Sequence, residues 1–111
     1  MIEKIILDYL LQNGFSCYTS VPESPSGNFC VLEKTGSDYK DGLFFATLAV
    51  QSYGSSDFSA AQLNHFVVRA MLDADTLPEI SSCELNTDYN FPDTIRELPR
   101  YQAVFDLVYY E

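Results

Sequence analysis

Ile2, Ile5, Ile6, Tyr9 and Leu10 recur at the three-and-four spacing of an α-helix and predict one over residues 2–12. Gly14 ends it after Asn13, because glycine enters the left-handed region without a Cβ clash. Leu7 and Leu11, one turn apart, form a second and thinner apolar strip on the same cylinder. The period then shortens. Phe15–Val21 reads as a short strand, and Pro22 and Pro25 break the chain into a loop. Phe29–Lys34 reads as a strand with Phe29, Val31 and Glu33 on one face and Cys30 and Leu32 on the other. TGSDYKDG, residues 35–42, is rich in turn formers and is expected to be a hairpin tip. Leu43–Tyr53 is the longest predicted strand. Phe44, Ala46, Leu48 and Val50 make one side of it fully apolar; the other side is half so.

A second helix follows. Ser59 and Gln62 can form a capping box, with Asp57 as the competing cap, and the helix is expected to run to about Asp75. Its main stripe is Leu63, Phe66, Val67, Ala70, Met71 and Ala74. Ala61, Val68 and Leu72 widen the apolar arc, and Pro78 stops it. Ile80–Leu85 and Tyr101–Tyr109 supply two more strands. The order is α-β-β-β-α-β-β. Consecutive strands without intervening helices favour antiparallel pairing. The expectation is a single α+β domain over 1–111: an antiparallel-dominated sheet of four to five strands with two helices on one face.

The thirteen residues Thr87 to Pro99 lie between the last two predicted strands, too many for a tight hairpin. Asn86, Asp88 and Asn90 can hold turns through their own backbone, and Pro92 fixes a bend. One reading is a self-packed corner whose far side, with TIRELPR, reaches a neighbouring molecule. The other is a plain connection with Phe91 plugged into its own core.

Composition narrows the function. Lys and Arg total 6 against 16 Asp and Glu, a net charge of −10. Binding DNA or RNA through its phosphates needs clustered cations, so direct nucleic-acid binding is not expected, and neither is an anionic membrane. No run approaches the ~20 apolar residues of a membrane span, and the opening MIEKIILDYLL lacks the basic start of a signal peptide. Cys17, Cys30 and Cys83 are odd in number without a C-x-x-C spacing, which reads as free thiols in a reducing cytoplasm.

Chemistry finds little support. His65 stands alone on the polar side of its helix, and no G-x-S-x-G or Gly-rich phosphate loop occurs. Asp73 and Asp75 do not extend to a calcium loop, because Leu77 takes the third ligand position. Catalytic residues, metal and cofactor are all expected to be absent. The 8 Tyr and 8 Phe say more. Tyr39 at the hairpin tip, Tyr89 in the loop and Tyr110 at the chain end fall outside the predicted core. Tyrosine suits interfaces because its ring buries area while its hydroxyl keeps a partner. Leu7 with Leu11, and Val68 with Leu72, either face another subunit or pack the two helices together. Phe91, Arg96 and Arg100 complete the candidate interface, the arginines being two of the six basic residues.

The runs VLEKTG, ATLAVQSY, LNTDYNF and RYQAVFDLVY, in this order and spacing, resemble small proteins of the head-to-tail morphogenesis modules of phages and prophages of Gram-positive bacteria. Within that group the chain looks most like the tail terminator, or tail-completion, proteins. The resemblance implies a small non-enzymatic α+β subunit that assembles as a hexameric ring, free or only on a template. Such a ring caps the tail tube and meets the head connector. It also implies residence in the host cytoplasm during assembly and then in the virion. The head-completion and connector proteins of the same module are an alternative. So is a cytoplasmic inhibitor or anti-defence protein that binds a host protein.

Overall fold

The computed structural model describes residues 1–110. Its longest feature is a hairpin of β2 (Phe29–Lys40) and β3 (Leu43–Tyr53), closed by Asp41 and Gly42. Both turn residues have positive φ, 55° and 82°. That pairing matches the right-handed twist of the flanking strands, and Asp-Gly is its preferred sequence. The segment 35–40, expected as part of a turn, is therefore strand. Its side chains are almost all exposed, so its composition is polar, but its backbone is satisfied by the ladder to Leu43–Thr47. A bulge between Lys34 and Gly36 shifts the register.

β5 (Arg100–Tyr109) pairs antiparallel with β3, and β4 (Ile80–Asn90) pairs antiparallel with β5 at the edge. At the other edge β1 (Cys17–Tyr18) adds a short parallel pair with β2. The result is a five-stranded, mainly antiparallel sheet in the order β1-β2-β3-β5-β4. The α+β order α-β-β-β-α-β-β and the two helices on one sheet face are as the sequence patterns indicate. β4 continues to Asn90, so the connection to β5 spans only 91–99. Asp88 and Asn90, turn formers in isolation, here pair with Ala103 and Tyr101, and Asn86 falls at a bulge between Leu85 and Thr87.

α1 (Ile2–Gln12) buries Ile2, Ile6, Tyr9 and Leu10. α2 (Asp57–Leu72) is capped by Ser56, whose hydroxyl accepts from Ser59 N–H while Ser59 returns the bond, so the box sits three residues before the expected one. A short 3₁₀ turn, Ala74–Thr76, follows. The buried face of α2 is Ala60, Asn64, Val67 and Met71, which turns Phe66 toward solvent. Between helices and sheet lie Leu32, Leu48, Val50, Phe105 and Leu107. Each such side chain contributes roughly 1.5–3 kcal/mol by leaving water.

Among the described residues the other sheet face carries no helix. A small cluster of Phe29, Val31 and Tyr53, with Val21 and Leu98 against it, covers one end. Phe29 stacks on Tyr53 with ring centroids 4.7 Å apart. Further along, Phe45, Thr47, Asp106 and Val108 line an open recess of about 320 Å³.

Candidate assembly surfaces

The 91–99 loop is organised by one carboxylate. Asp93 and Leu98 exchange both backbone hydrogen bonds, at 3.0 and 3.1 Å, and close a small hairpin. The Asp93 side chain is only 3% exposed as a residue. Its Oδ1 accepts from the Ile95 N–H at 3.2 Å and the Arg96 N–H at 3.1 Å. Its Oδ2 accepts from the Tyr53 hydroxyl at 2.9 Å and from Arg96 Nη1 at 3.2 Å, with Arg100 Nη1 at 3.8 Å. Burial alone raises the Asp93 pKa. The Arg96 N–H, the Tyr53 hydroxyl, the Arg96 guanidinium and the Arg100 charge outweigh it and hold the carboxyl below its ordinary value. Burial, partly offset by Arg100, raises the Tyr53 hydroxyl.

Arg100 ties this hub to the strand ends. Its Nε donates to the Phe91 carbonyl at 2.7 Å and its Nη1 to the Tyr53 hydroxyl at 3.1 Å. Its guanidinium lies 4.4 Å from the Phe91 ring centroid, within cation–π range. Its side chain is 14% exposed. Tyr89 packs edge-on against Phe91 at 5.7 Å, and Gln102 donates to its hydroxyl. Tyr89, Phe91, Arg96 and Arg100 therefore converge at one end of a molecule 43 Å long. Both arginines are engaged within their own chain. Arg96 stays exposed on the rim, whereas Arg100 belongs to the interior.

Tyr39 lies at the opposite end, 59% exposed, with its ring 4.7 Å from Phe44, which in turn stacks on Tyr109 at 5.5 Å. Tyr110 is at that end as well; its N–H donates to the Glu79 carbonyl and its side chain is exposed. The helices meet where the Tyr9 hydroxyl donates to the Ala70 carbonyl at 2.6 Å. Leu7 and Val68 pack partly buried against the main core, while Leu11 and Leu72 remain exposed. Beside that meeting point runs a groove of about 530 Å³. Phe15, Leu63, Phe66 and Ala70 line it, with Arg69 and Asp73.

Two prominent residues were not singled out by the sequence. Ile95 is 90% exposed and Phe58 is 77% exposed. Ile95 is the one apolar side chain in the polar run between Pro92 and Glu97, and that isolation was the available signal. Asp93 was also missed, although an Asp opening a turn is the residue type that binds the next backbone N–H groups. Glu97 takes φ 55°, a left-handed conformation uncommon outside glycine and asparagine, and it turns the chain back toward Leu98.

Reactive groups are scattered. His65 is exposed against the edge of Phe66, and all three cysteines are buried. Burial and nearby carboxylates push the Cys83 thiol up to about 12, so it stays protonated at neutral pH. Among the described residues no group of three or more His, Cys, Asp or Glu is placed to hold a metal ion. No helix among them is long and apolar enough to cross a membrane.

No protein-family model and no curated protein matches the chain. Solved structures do: 16 chains match. One belongs to a structure of the virion of a native gene transfer agent particle. Its TM-score is 0.68 at 15% sequence identity, over 93% of this chain and 84% of that one. At that identity the likeness is one of fold, and it extends along nearly the whole chain.

Proposed function

We propose that this chain is a non-enzymatic virion assembly protein of the tail terminator type, a subunit of a hexameric ring that caps the tail tube and joins it to the head. The observation that carries the reading is the shared fold, along 93% of the chain, with a chain of a virion particle. The four resembling sequence runs point the same way. A closed ring is built from heterologous contacts, in which one patch of a subunit meets a different patch of its neighbour. The loop end with Tyr89, Phe91 and Ile95 and the groove beside α2 are two such separate patches. The net charge of −10 suits a ring that DNA crosses, because an acidic wall repels phosphates and does not hold them. The partners are further copies of the chain, the tail tube and the head connector. The subunit would work first in the host cytoplasm and then in the virion.

Deleting the coding gene from the phage or prophage that carries it tests the role. Electron microscopy of the lysate should show filled heads separate from tails, with tails of irregular length. Tails of normal length lacking heads would instead favour the connector role. Normal infectious particles would remove the assembly role altogether.

A further inference from the structure

Cys17 of β1 and Cys30 of β2 are direct partners across the sheet ladder. Residues paired on neighbouring strands point to the same side of the sheet. Both cysteines reach into the helix-side core, Cys17 5% exposed and Cys30 fully buried. Neighbouring strands run about 4.8 Å apart, within the roughly 4.4–6.8 Å that a disulfide spans between Cα atoms. The Cys30 N–H donates to the Ser16 carbonyl at 2.9 Å, which fixes the register of the pair. The Cys30 sulfur lies 3.7 Å from the same oxygen.

The two thiols are unequal. Hydrogen bonds from the Cys30 thiol and the Tyr18 N–H hold Cys17 below its ordinary pKa against the effect of burial. The Cys17 sulfur and burial both raise Cys30. Cys17 is therefore the better nucleophile and Cys30 the proton holder. β1 contributes two ladder pairs at the sheet edge, so it opens at lower cost than the central strands and admits a small oxidant. Cys83 is on β4 at the opposite edge, with β3 and β5 between it and β2.

We infer that Cys17 and Cys30 are a dithiol that a hydroperoxide converts to an intrachain disulfide. In the first step the Cys17 sulfur attacks the peroxide. An S–O bond forms, the O–O bond breaks, and one oxygen leaves with the Cys17 proton, as water when the oxidant is hydrogen peroxide. In the second step the Cys30 sulfur attacks the Cys17 sulfur. The S–S bond forms, the S–O bond breaks, and hydroxide leaves with the Cys30 proton as water. The two thiols supply the two electrons that reduce one peroxide. The bridge closes residues 18–29, the loop broken by Pro22 and Pro25, and fastens the edge strand to β2. It is set by the fold of one subunit and does not depend on what that subunit assembles into.

The test treats reduced, folded protein with hydrogen peroxide and counts free thiols after denaturation. The count should fall from three to one, with the peptides bearing Cys17 and Cys30 joined, and dithiothreitol should restore it. Cys83→Ala should form the same bridge. In graded glutathione buffers the bridge should form at least about tenfold more readily in the folded chain than in urea, because a disulfide that fits the fold is stabilised by it. Three thiols surviving in the folded protein would overturn the assignment. So would a bridge that uses Cys83 or joins two copies, or an equal or weaker preference in the folded chain.

Discussion

The two ends of the sheet are built from similar residues and held in different ways. At one end TGSDYKDG makes the outer half of a long hairpin. Its side chains are nearly all exposed, and the backbone ladder and a two-residue turn define it, helped only by cross-strand contacts such as the Thr35 hydroxyl on the Thr47 carbonyl and the Tyr39–Phe44 ring pair. At the other end NTDYNFPDT runs from strand into a loop with a buried carboxylate at its centre. Asp93 joins Tyr53 of β3, Arg100 of β5 and two loop N–H groups at once. Turn-rich composition therefore does not decide how a segment is held. What decides is whether its polar groups meet partners from other strands. A loop built on a buried charge can present an exposed residue such as Ile95 in one orientation. The hairpin tip presents Tyr39 with only its ring contact to Phe44 to orient it.

The sharpest way to break this contrast is to remove the hub. Asp93→Ala leaves the mostly buried Arg100 and the Tyr53 hydroxyl without their shared acceptor and should cost about 3–5 kcal/mol in urea unfolding. A cost below about 1 kcal/mol would show that the loop is held mainly by its backbone, as the hairpin tip is. Gly54→Ala comes next. Gly54 joins β3 to the approach of α2 and donates to the Pro99 carbonyl, and a Cβ there would lie 2.5 Å from the Ala60 nitrogen. The expected loss is about 2 kcal/mol, read as a lower unfolding midpoint.

A smaller effect concerns acid. The Asp93 pKa is lower in the folded chain than its ordinary value. Its contribution is therefore complete above the unfolded value of about 3.9 and is lost as pH falls through the folded value. Asp93→Asn should lie below the native protein in stability at neutral pH and converge toward it in acid. Parallel stability curves across that range would show that the charge of Asp93 does not matter. The smallest effect belongs to the hairpin. Tyr39→Ala removes one ring contact at an exposed site and should change stability by no more than about 0.5–1 kcal/mol. If assembly falls while stability holds, the hairpin tip is a contact surface as well.

Much of the fold was legible because its periods are clean. The α1 stripe gave its buried face, and the alternation of Leu43–Tyr53 and Tyr101–Tyr109 gave the two central strands. The rest was hidden by polar residues that tertiary partners satisfy. α2 reads as if Phe66 faced inward, because nothing local reveals that Asn64 is buried and donates to Asp88 of β4. The outer halves of β2 and β4 read as turns because propensity counts Asn, Asp and Gly without seeing the strand opposite. For the candidate surface, the sequence pointed to the loop and to Tyr89, Phe91, Arg96 and Arg100. It did not show that Arg100 turns inward or that Ile95 and Phe58 stand out. Exposure is set by the packing of elements distant in sequence.

The most direct measurement is to locate the chain in purified particles by tagging it and labelling the tag with gold. The account predicts label at the junction between head and tail, at a constant copy number that fits one hexameric ring per particle. Label absent from purified particles, or spread along the tail or the capsid, would contradict it.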